Sequence, residues 1–487
     1  MEKNQPRLHA IMFPLPFQGH VNPLMQLAIK LASMGVTVTF VNTQFIDQQI
    51  NKARAYDYTA GDDMFAEARQ SGLDIRYTTI TDGFPLKFDR NAIDKFWPGL
   101  EIVFPAHVDE LLSNMMGSDL DPTLTCLIAD TFFNWTSDLA RKHNLVNVSC
   151  WTQPALTYSI NYHMDLLKMN GHFGSHDIRE DAITYIPGVP AIDLEDLPSF
   201  FQQNDPSDLI VRIAETSFQC CRRADFVLFN TIEELESETI SALQHDQQQI
   251  YAVGPLVSSL ELAKGMVPSA SFHFESDCAQ WLNTKPHGSV LYVSFGSACL
   301  IGKLDIMELA YALFLSEVNF VWVLPPHLVG SDPISFLPAG YEEDIKDKGL
   351  IVQWCNQVAV LSHSATGGFL SHCGWNSTLE SIWCGIPLLC SPLSYDQTPN
   401  RKLIVDAWKI GLNLCQKKSI RREEAARNIQ KLMHGEIADE LRSNVSVMRQ
   451  TMKHATVAGG STERNLDRFI NSVKAKSNMK FDNDRKI

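Results

Sequence analysis

Short apolar runs typical of β-strands alternate with helical patterns along this chain, and the alternation occurs twice. This order indicates parallel sheets built from strand–helix–strand units, because parallel neighbours are joined by a crossover that is usually a helix. The predicted strands of the first half cover residues 8–13, 36–41, 124–129 and 146–150. Those of the second half cover residues 290–295, 320–324, 350–353, 368–370 and 387–390. We therefore predict an α/β protein with two facing, Rossmann-like, doubly wound domains.

A helix is predicted after the first strand of each half. Between residues 21 and 32, apolar side chains recur at three- and four-residue spacing, which places them on one face of a helix. Gly35 follows at the position where such a helix would end. Residues 304–316 repeat the pattern in the second half.

The length of 487 residues exceeds what one ordinary core accommodates. After Val253-Gly254-Pro255 the periodic pattern is lost, and Ser, Gly, Pro and Lys accumulate as in an exposed linker. A Gly459-Gly460 break interrupts the last helical pattern. The predicted units are an N-terminal domain (1–254), a linker (255–280), a C-terminal domain (281–453), a C-terminal helix that packs back on the N-terminal domain (454–476), and a flexible tail (477–487).

Ligands of open parallel sheets bind at the carboxyl ends of the strands. Two such sheets facing each other leave a cleft between the domains. The loops predicted to line this cleft are residues 14–20, 130–134, 296–299 and 372–377.

Charge and cysteine usage limit the possible partners. The formal net charge is −15, from 56 acidic and 41 basic residues, so most of the surface would repel a nucleic acid. The eleven cysteines are odd in number and lack a CxxC spacing, which is typical of a reduced, cytoplasmic protein. The sequence lacks a secretory signal and an apolar run long enough to span a membrane. We expect a cytoplasmic monomer.

The segment 354–397 concentrates the side chains that a sugar nucleotide would need. It contains an aromatic plate, amides, two imidazoles and an acid–amide pair between two short apolar runs. Residues 368–370 are predicted to end a strand, 372–377 to form a turn, and the residues from Ser377 onward to begin a helix. Backbone N–H groups at a helix N-terminus lack partners inside the helix and bind phosphate well.

This 44-residue segment resembles the signature box of plant UDP-sugar-dependent glycosyltransferases that act on small molecules. The resemblance extends to GHVNP at 19–23, to SFGS at 294–297 and to GGS at 459–461, so it covers nearly the whole chain. It implies the two-domain GT-B fold, with the acceptor bound in the N-terminal half and the sugar nucleotide in the C-terminal half.

The resemblance and the side-chain chemistry together indicate roles for several residues of the box: His372, Asn376 and Ser377 would bind the diphosphate, and Asp396 and Gln397 the sugar hydroxyls. Trp354 would stack on uracil, Gln357 would bind the base edge or the ribose, and Glu380 would accept from both ribose hydroxyls. Diphosphate would be held without a metal or cofactor. The implied UDP-sugar-binding residues are Ser297, Trp354, Cys355, Gln357, His372, Trp375, Asn376, Ser377, Glu380, Asp396, Gln397 and Thr152. In this family a terminal Gln, as at 397, usually accompanies glucose.

The resemblance places the chemistry in the first half. His20 stands where family members carry their general base, and Asp130 matches the acid that orients this base. A histidine with a pKa near 6.5 can take a proton from a hydroxyl at neutral pH if its other ring nitrogen is held. The expected reaction is inverting transfer of a hexose, most simply glucose, from UDP to a hydroxyl or carboxyl of a small lipophilic plant metabolite or hormone, for example a phenolic or terpenoid.

Structural roles remain open for several of these residues. Trp354 alone is typical of a core, His20 of a helix start and Asp130 of a helix cap, and His363 is interpreted as structural. Cys220 and Cys221 are predicted to pack as buried thiols. The aromatic residues that either line an acceptor pocket or pack in the core are Phe132, Phe133, Trp135 and Trp151.

Three positions depart from the family pattern: Asn356 replaces a usual Pro, Ser391 precedes Pro392 instead of a bulky residue, and Pro325 follows Leu324 where Arg-Pro is common. None of them removes a proposed catalytic group. The alternative function is a catalytically weak protein that binds a nucleotide sugar or a small molecule. A nicotinamide oxidoreductase is disfavoured because no GxGxxG follows a predicted strand.

Overall fold

A computed structural model describes residues 7–54, 63–116, 124–245, 249–257, 271–297, 300–328 and 336–484. Much of the predicted linker, Cys299 of the loop 296–299 and residues 485–487 lie outside these ranges. Across the ranges that are described, no helix combines the length and the apolar character needed to cross a bilayer.

Two separate sheets form the centres of the two halves, and each ladder between their named strands is parallel. The first sheet contains β1 (His9–Phe13), β2 (Thr37–Thr43), β3 (Ile75–Ile80), β4 (Thr125–Asp130), β5 (Val146–Trp151), β6 (Phe226–Phe229) and β7 (Ile250–Ala252). The second contains β8 (Val290–Ser294), β9 (Asn319–Val323), β10 (Gly349–Val352), β11 (Thr366–Ser371), β12 (Leu388–Cys390) and β13 (Gly411–Asn413). The predicted pair of doubly wound α/β domains is confirmed.

Helices cover both sheets. Those of the first half are α1 (Gln18–Ser33), α2 (Gln44–Arg54), α3 (Ala66–Gln70), α4 (Ile93–Ile102), α5 (Phe104–Met116), α6 (Thr136–Lys142), α7 (Ala155–Tyr162), α8 (Met164–Met169), α9 (Ser199–Gln202), α10 (Leu209–Cys221) and α11 (Ser237–His245). Those of the second half are α12 (Ala279–Leu282), α13 (Lys303–Ser316), α14 (Tyr341–Ile345), α15 (Gln357–Ser362), α16 (Trp375–Cys384), α17 (Gln397–Lys402), α18 (Arg422–Met433), α19 (Glu436–Thr456) and α20 (Ser461–Asp484). Short 3₁₀ turns cover Leu194–Asp196 and Pro326–Leu328, and a π-helical turn covers Leu403–Ala407.

Both sheets use the same strand order, and this order locates their ligand sites. The first runs β3-β2-β1-β4-β5-β6-β7 and the second β10-β9-β8-β11-β12-β13. The order therefore reverses between β1 and β4 and again between β8 and β11. Crevices at such switch points, outside the carboxyl ends of the strands, are where open parallel sheets bind ligands.

The central strands are buried on both faces, which explains their nearly continuous apolar sequences. The predicted apolar face of α1 is also buried, and Leu24, Ala28 and Leu31 lie in the core of the first half. Complete burial of a leucine side chain contributes about 1.5–3 kcal/mol. Gly35 ends this region with φ +83°, a backbone conformation that suits glycine.

Two helix boundaries differ from the sequence-based expectation. The box helix α16 begins at Trp375 rather than Ser377, because Gly374 is the extended residue that precedes it. The last helix begins at Ser461, after the Gly459-Gly460 break, and not at residue 454. It continues to Asp484, so the expected flexible tail from 477 is helical over most of its length.

The last helix returns to the first half of the chain. Phe469 of α20 packs edge-on against Phe226 and Tyr251, with ring centroids 5.9 and 5.8 Å apart. The Tyr251 hydroxyl also donates to Ser472 Oγ at 2.9 Å. The C-terminus thus completes the core of the first sheet.

Candidate active site

The first part of the site is a histidine–aspartate pair. His20 lies in the first turn of α1, and the buried Asp130 is the last residue of β4. His20 Nδ1 lies 2.7 Å from Asp130 Oδ2, although 110 residues separate them in sequence. The other carboxylate oxygen, Oδ1, accepts from the backbone N–H of Phe132 at 3.0 Å. The β1/β4 switch point brings these two residues together.

The surroundings of His20 set its affinity for a proton. Burial lowers the pKa of His20, but the charge of Asp130 and its hydrogen bond raise it more, so the pKa lies above the usual 6.5. Because a carboxylate only accepts, Nδ1 carries the proton of the neutral ring and Nε2 keeps its lone pair. Thr152 Oγ1 lies 3.1 Å from the same Nδ1. This geometry suits a general base that reacts through Nε2.

One of the four aromatic residues singled out in the sequence lies against this pair. Phe132 is partly exposed and contacts His20 edge to face, with centroids 5.9 Å apart. Phe133, Trp135 and Trp151 are buried in the core. Phe132 therefore lies beside His20, whereas the other three pack inside the domain.

The second part of the site is the N-terminus of α16. The first hydrogen bond of this helix runs from the Thr378 N–H to the Gly374 carbonyl. The backbone N–H groups of Trp375, Asn376 and Ser377 consequently have no acceptor within the helix. Together with the helix dipole, they favour negatively charged phosphate oxygens at this point.

His372 lies next to this helix start, after β11. Its ring is enclosed by two glycines: a Cβ atom on Gly296 would lie 2.6 Å from Nε2, and one on Gly374 only 2.5 Å from it. Gly296 also has φ +74°. Burial lowers the pKa of His372 to about 4, so the ring is neutral at pH 7. Ser297 follows Gly296 in the turn after β8, at the same switch point.

A hydrogen-bonded cluster lies behind the phosphate region. Gln357 Nε2 donates to Ser377 Oγ at 2.9 Å and to Glu380 Oε2 at 2.6 Å. Burial raises the pKa of Glu380 to about 7. Asn356, which departs from the family pattern, is the N-cap of α15 and accepts from the Ala359 N–H at 3.0 Å. Asn is among the best N-cap residues, so this departure keeps the helix start that presents Gln357.

Trp354 and Cys355 precede this cluster. Trp354 is partly exposed, and the His273 ring packs on it with centroids 4.5 Å apart. Cys355 is buried, and its Sγ lies 3.8 Å from the Tyr292 hydroxyl. The Cys355 side chain thus belongs to the core, and any contact of this residue with a nucleotide would have to come from its backbone.

The acid–amide pair lies at the start of α17. Burial raises the pKa of Asp396 to about 6, and its Oδ2 accepts from Asn400 Nδ2 at 2.7 Å. The charge of Asp396 also acts on His20, which places the two residues within electrostatic reach of each other. Gln397 Oε1 accepts from the backbone N–H of Leu393 at 2.8 Å, and this bond fixes the orientation of its amide.

Direct contacts between the halves unite the two parts of the site. Asn376 Nδ2 donates to the carbonyl oxygen of Gly19, the residue before His20, at 2.8 Å. The Trp375 indole N–H donates to the Asn230 carbonyl at 2.7 Å. The indole is buried and its N–H is used in this bond, so that N–H is not available to donate to a sugar.

Sequence reasoning missed Asn230. Its carbonyl accepts from Trp375, and its Nδ2 lies 3.5 Å from Asn376 Oδ1. Asn230 directly follows β6, and a polar residue at the carboxyl end of a parallel strand was the available signal.

The described ranges contain no group of three or more His, Cys, Asp or Glu residues arranged to hold a metal ion. The groups brought together here are the imidazole of His20 held by a carboxylate, the N–H groups at the start of α16 and the neutral imidazole of His372. Together they suit proton removal from an acceptor next to a bound diphosphate.

Known proteins share this sequence and this architecture. Residues 258–451 match the family described as "UDP-glucoronosyl and UDP-glucosyl transferase", and residues 7–169 match "Glycosyltransferase, N-terminal domain". UDP-glycosyltransferases 86A1 and 86A2 of Arabidopsis thaliana are 51% and 48% identical to this chain. The alignments cover 98% and 96% of this chain, and 96% and 95% of the relatives.

A solved structure has the same fold. Phytolacca americana UGT2, in complex with UDP-2-fluoro-glucose and pterostilbene, superposes with a TM-score of 0.76. Its sequence is 26% identical, and the match covers 96% of this chain and all of that one.

Proposed function

This chain belongs to the plant UDP-glycosyltransferases, and from that membership we propose that it transfers glucose from UDP-glucose to a hydroxyl or carboxyl of a small lipophilic molecule. The N-terminal half receives the acceptor and the C-terminal half holds the donor. The observation that carries the proposal is the contact between the two parts of the site. The His20–Asp130 pair lies at one end of α1, and the N-terminus of α16 meets this end through Asn376 and Gly19.

The reaction begins with proton transfer. His20 Nε2 takes the proton of the acceptor hydroxyl, and the imidazolium is stabilised by Asp130 through Nδ1. The acceptor oxygen then forms a bond to the anomeric carbon, while the bond from that carbon to the diphosphate oxygen breaks. Because attack comes from the face opposite UDP, the α-linked donor gives a β-glycoside.

The C-terminal half stabilises the leaving group. Charge that develops on the diphosphate is met by the N–H groups at the start of α16 and by the neutral His372. These donors allow the reaction to proceed without a metal or other cofactor. Trp354 provides the stacking surface for uracil, Gln357 and Glu380 bind the ribose, and Asp396 with Gln397 binds the sugar hydroxyls.

The relatives support the donor and the acceptor in this proposal. The complex of Phytolacca americana UGT2 contains a fluorinated analogue of UDP-glucose together with pterostilbene. In this chain Phe132 offers an aromatic edge beside His20, which suits a flat apolar acceptor. Each cysteine of the described ranges is a free thiol, as suits an enzyme of the reducing cytoplasm.

The experiment is an assay of the purified protein with UDP-glucose and a panel of phenolic, terpenoid and hormone-like acceptors, with products identified by mass. We expect a product heavier than its acceptor by one hexose, formed by the wild type and not by His20→Ala. His176→Ala, which alters a fully exposed histidine, should be as active as the wild type. Tight UDP-glucose binding without any product would instead favour the alternative, a nucleotide-sugar-binding protein.

A further inference from the structure

A second set of contacts between the halves lies outside the groups that would touch substrate. Residues 193–202 of the N-terminal half lie along residues 395–402 of the C-terminal half, and we call this contact the clasp. The 395–402 segment contains α17, whose start presents Asp396 and Gln397. The geometry of these two donor-site residues therefore depends on how α17 is held.

An ion pair lies at the centre of the clasp. The side chain of Asp196 is only 1% exposed, and its carboxylate forms ion pairs with two cationic side chains of α17. Arg401 Nη2 lies 2.5 Å from its Oδ1, and Lys402 Nζ lies 2.9 Å from its Oδ2. The backbone N–H of Asp193 also donates to Oδ2 at 3.1 Å, which fixes the carboxylate in its 3₁₀ turn. A buried carboxylate with two cations and a backbone donor has a single well-defined orientation.

Backbone contacts extend the clasp toward the site. The Ser199 N–H donates to the Tyr395 carbonyl at 3.0 Å, and the Tyr395 N–H donates to Ser199 Oγ at 2.7 Å. Tyr395 has φ +57°, a conformation that residues other than glycine adopt only when their surroundings impose it. Since Tyr395 directly precedes Asp396, the N-terminal half holds the backbone of the strained residue next to Asp396.

One further bond ties the helix itself. Thr398 Oγ1 donates to the Leu197 carbonyl at 2.7 Å and is buried. Bonds from the N-terminal half thus reach this segment at four residues. They extend from Tyr395, just before α17, through Thr398 to Arg401 and Lys402 at its end.

We propose that Asp196 is a positioning residue for sugar transfer: by holding Arg401 and Lys402 it fixes α17, and with it the positions of Asp396 and Gln397. This inference rests on the proposed function, in which Asp396 and Gln397 bind the sugar of the donor. Asp196 does not touch the substrate and acts through the helix. Misplacement of a binding group by about 1 Å can cost on the order of a hundredfold in rate.

The test is the variant Asp196→Asn, which keeps the shape of the side chain and removes its charge. We expect the KM for UDP-glucose to rise and kcat to fall, each on the order of tenfold. The Kd of UDP alone, measured by calorimetry, should change less than about twofold, because the contacts of UDP come from Trp354, Gln357 and α16 rather than from α17. A variant that only loosened the whole domain would weaken UDP binding as well.

Asp406→Asn is the matched control. Asp406 pairs with the same two cations, with Arg401 Nη1 at 3.2 Å and Lys402 Nζ at 3.4 Å, but it belongs to the C-terminal half and is 42% exposed. Its loss removes the same charge without breaking the bridge between the halves, so the kinetic constants should stay at wild-type values. Equal effects of the two variants, or an Asp196→Asn protein with wild-type KM and kcat, would overturn the proposal.

Ser199→Ala provides a second variant if Asp196→Asn does not fold. It removes the acceptor of the Tyr395 N–H, and we expect the same pattern, a higher KM for UDP-glucose with unchanged UDP affinity; unchanged kinetics would overturn the proposal. Asp396→Asn separates the clasp from the function on which it rests. If Asp396→Asn raises the KM for UDP-glucose and the clasp variants do not, the positioning role of the clasp is disproved while the sugar-binding role of Asp396 stands. If Asp396→Asn leaves the KM unchanged, the sugar-binding role itself fails.

Discussion

Asn376 Nδ2 donates to the carbonyl oxygen of Gly19 at 2.8 Å, so the helix that would hold the diphosphate touches the residue next to His20. This hydrogen bond joins residues 357 positions apart in sequence. It places His20 next to the start of α16, which is the geometric requirement for the proposed sugar transfer.

Asn376→Asp tests the phosphate role of this position. A carboxylate cannot donate to Gly19, and it places negative charge where the diphosphate would lie. We expect the KM for UDP-glucose to rise tenfold to a hundredfold, on the order of a lost charge-assisted hydrogen bond. Steady-state kinetics gives the result, with Asn444→Asp as a control that adds the same charge to α19. Equal KM values for wild type and Asn376→Asp would exclude a phosphate contact here.

The raised pKa of His20 predicts how activity depends on pH. Only the neutral ring accepts a proton, so kcat/KM should rise with pH along a limb whose midpoint lies above 6.5. Asp130→Asn removes the charge that raises the pKa, so the midpoint should move down while the rate falls by at least about tenfold. A pH–rate profile of both proteins decides this, and an unshifted midpoint in Asp130→Asn would contradict the pairing.

The same pair makes folding stability fall as the pH rises, whereas the activity should rise. A folded-state pKa above the unfolded 6.5 means that the stabilisation from His20 and Asp130 is fully present below pH 6.5. It is lost as the pH rises through the folded pKa. The difference in urea midpoint between wild type and Asp130→Asn should therefore be larger at pH 6 than at pH 9.

Glu380 predicts a pH dependence of donor binding. With a pKa of about 7, Glu380 is mostly protonated at pH 6 and mostly ionised at pH 8. Only the ionised form accepts from both ribose hydroxyls, and its fraction rises about tenfold between pH 6 and pH 8, so UDP-glucose should bind about tenfold more tightly at pH 8. Glu380→Gln should remove this dependence, whereas Glu343→Gln, at an exposed position, should retain it. Calorimetry with UDP-glucose, whose diphosphate carries a constant charge in this range, measures both.

Gly296→Ala tests the enclosure of His372. Gly296 and Gly288 both have positive φ, so alanine at either should cost about 1–2 kcal/mol of unfolding free energy from backbone strain. The Cβ at 296 also overlaps the His372 ring, whereas that at 288 meets open space. We expect an additional penalty of about 1–3 kcal/mol at 296, together with weaker UDP binding. Urea unfolding and UDP titration of Gly296→Ala and Gly288→Ala separate backbone strain from steric overlap. If the two variants were equally stable, the His372 ring would move aside without cost.

Removal of metal ions should leave the reaction unchanged. The proposed diphosphate site relies on helix N–H groups and His372, which require no cation. Initial rates with excess EDTA should equal those with added magnesium. Strict dependence on a divalent ion would contradict this site.

The sequence predicted best those features that are encoded in short contiguous segments. His20, Asn376 and Ser377 occur in contiguous motifs, and the alternation of strands and helices predicted both sheets. The exact start of α16 was missed because Gly374, rather than the polar Asn376, ends the extended segment.

Contacts between the halves were not predictable in the same way. Asp196 and Arg401 are 205 residues apart, and each alone reads as an ordinary surface charge. Asn230 likewise gave a signal only in retrospect, through its place after β6. Periodicity reports which face of an element is buried, but it does not report which distant element covers that face.

The position of α20 determines when the N-terminal half can be completed during synthesis. Phe226 and Tyr251 are packed by Phe469, which leaves the ribosome only after the entire C-terminal half. Until then the first sheet exposes an apolar surface to which chaperones can bind. A nonsense mutation that removes Phe469 therefore damages the half of the enzyme that was translated first.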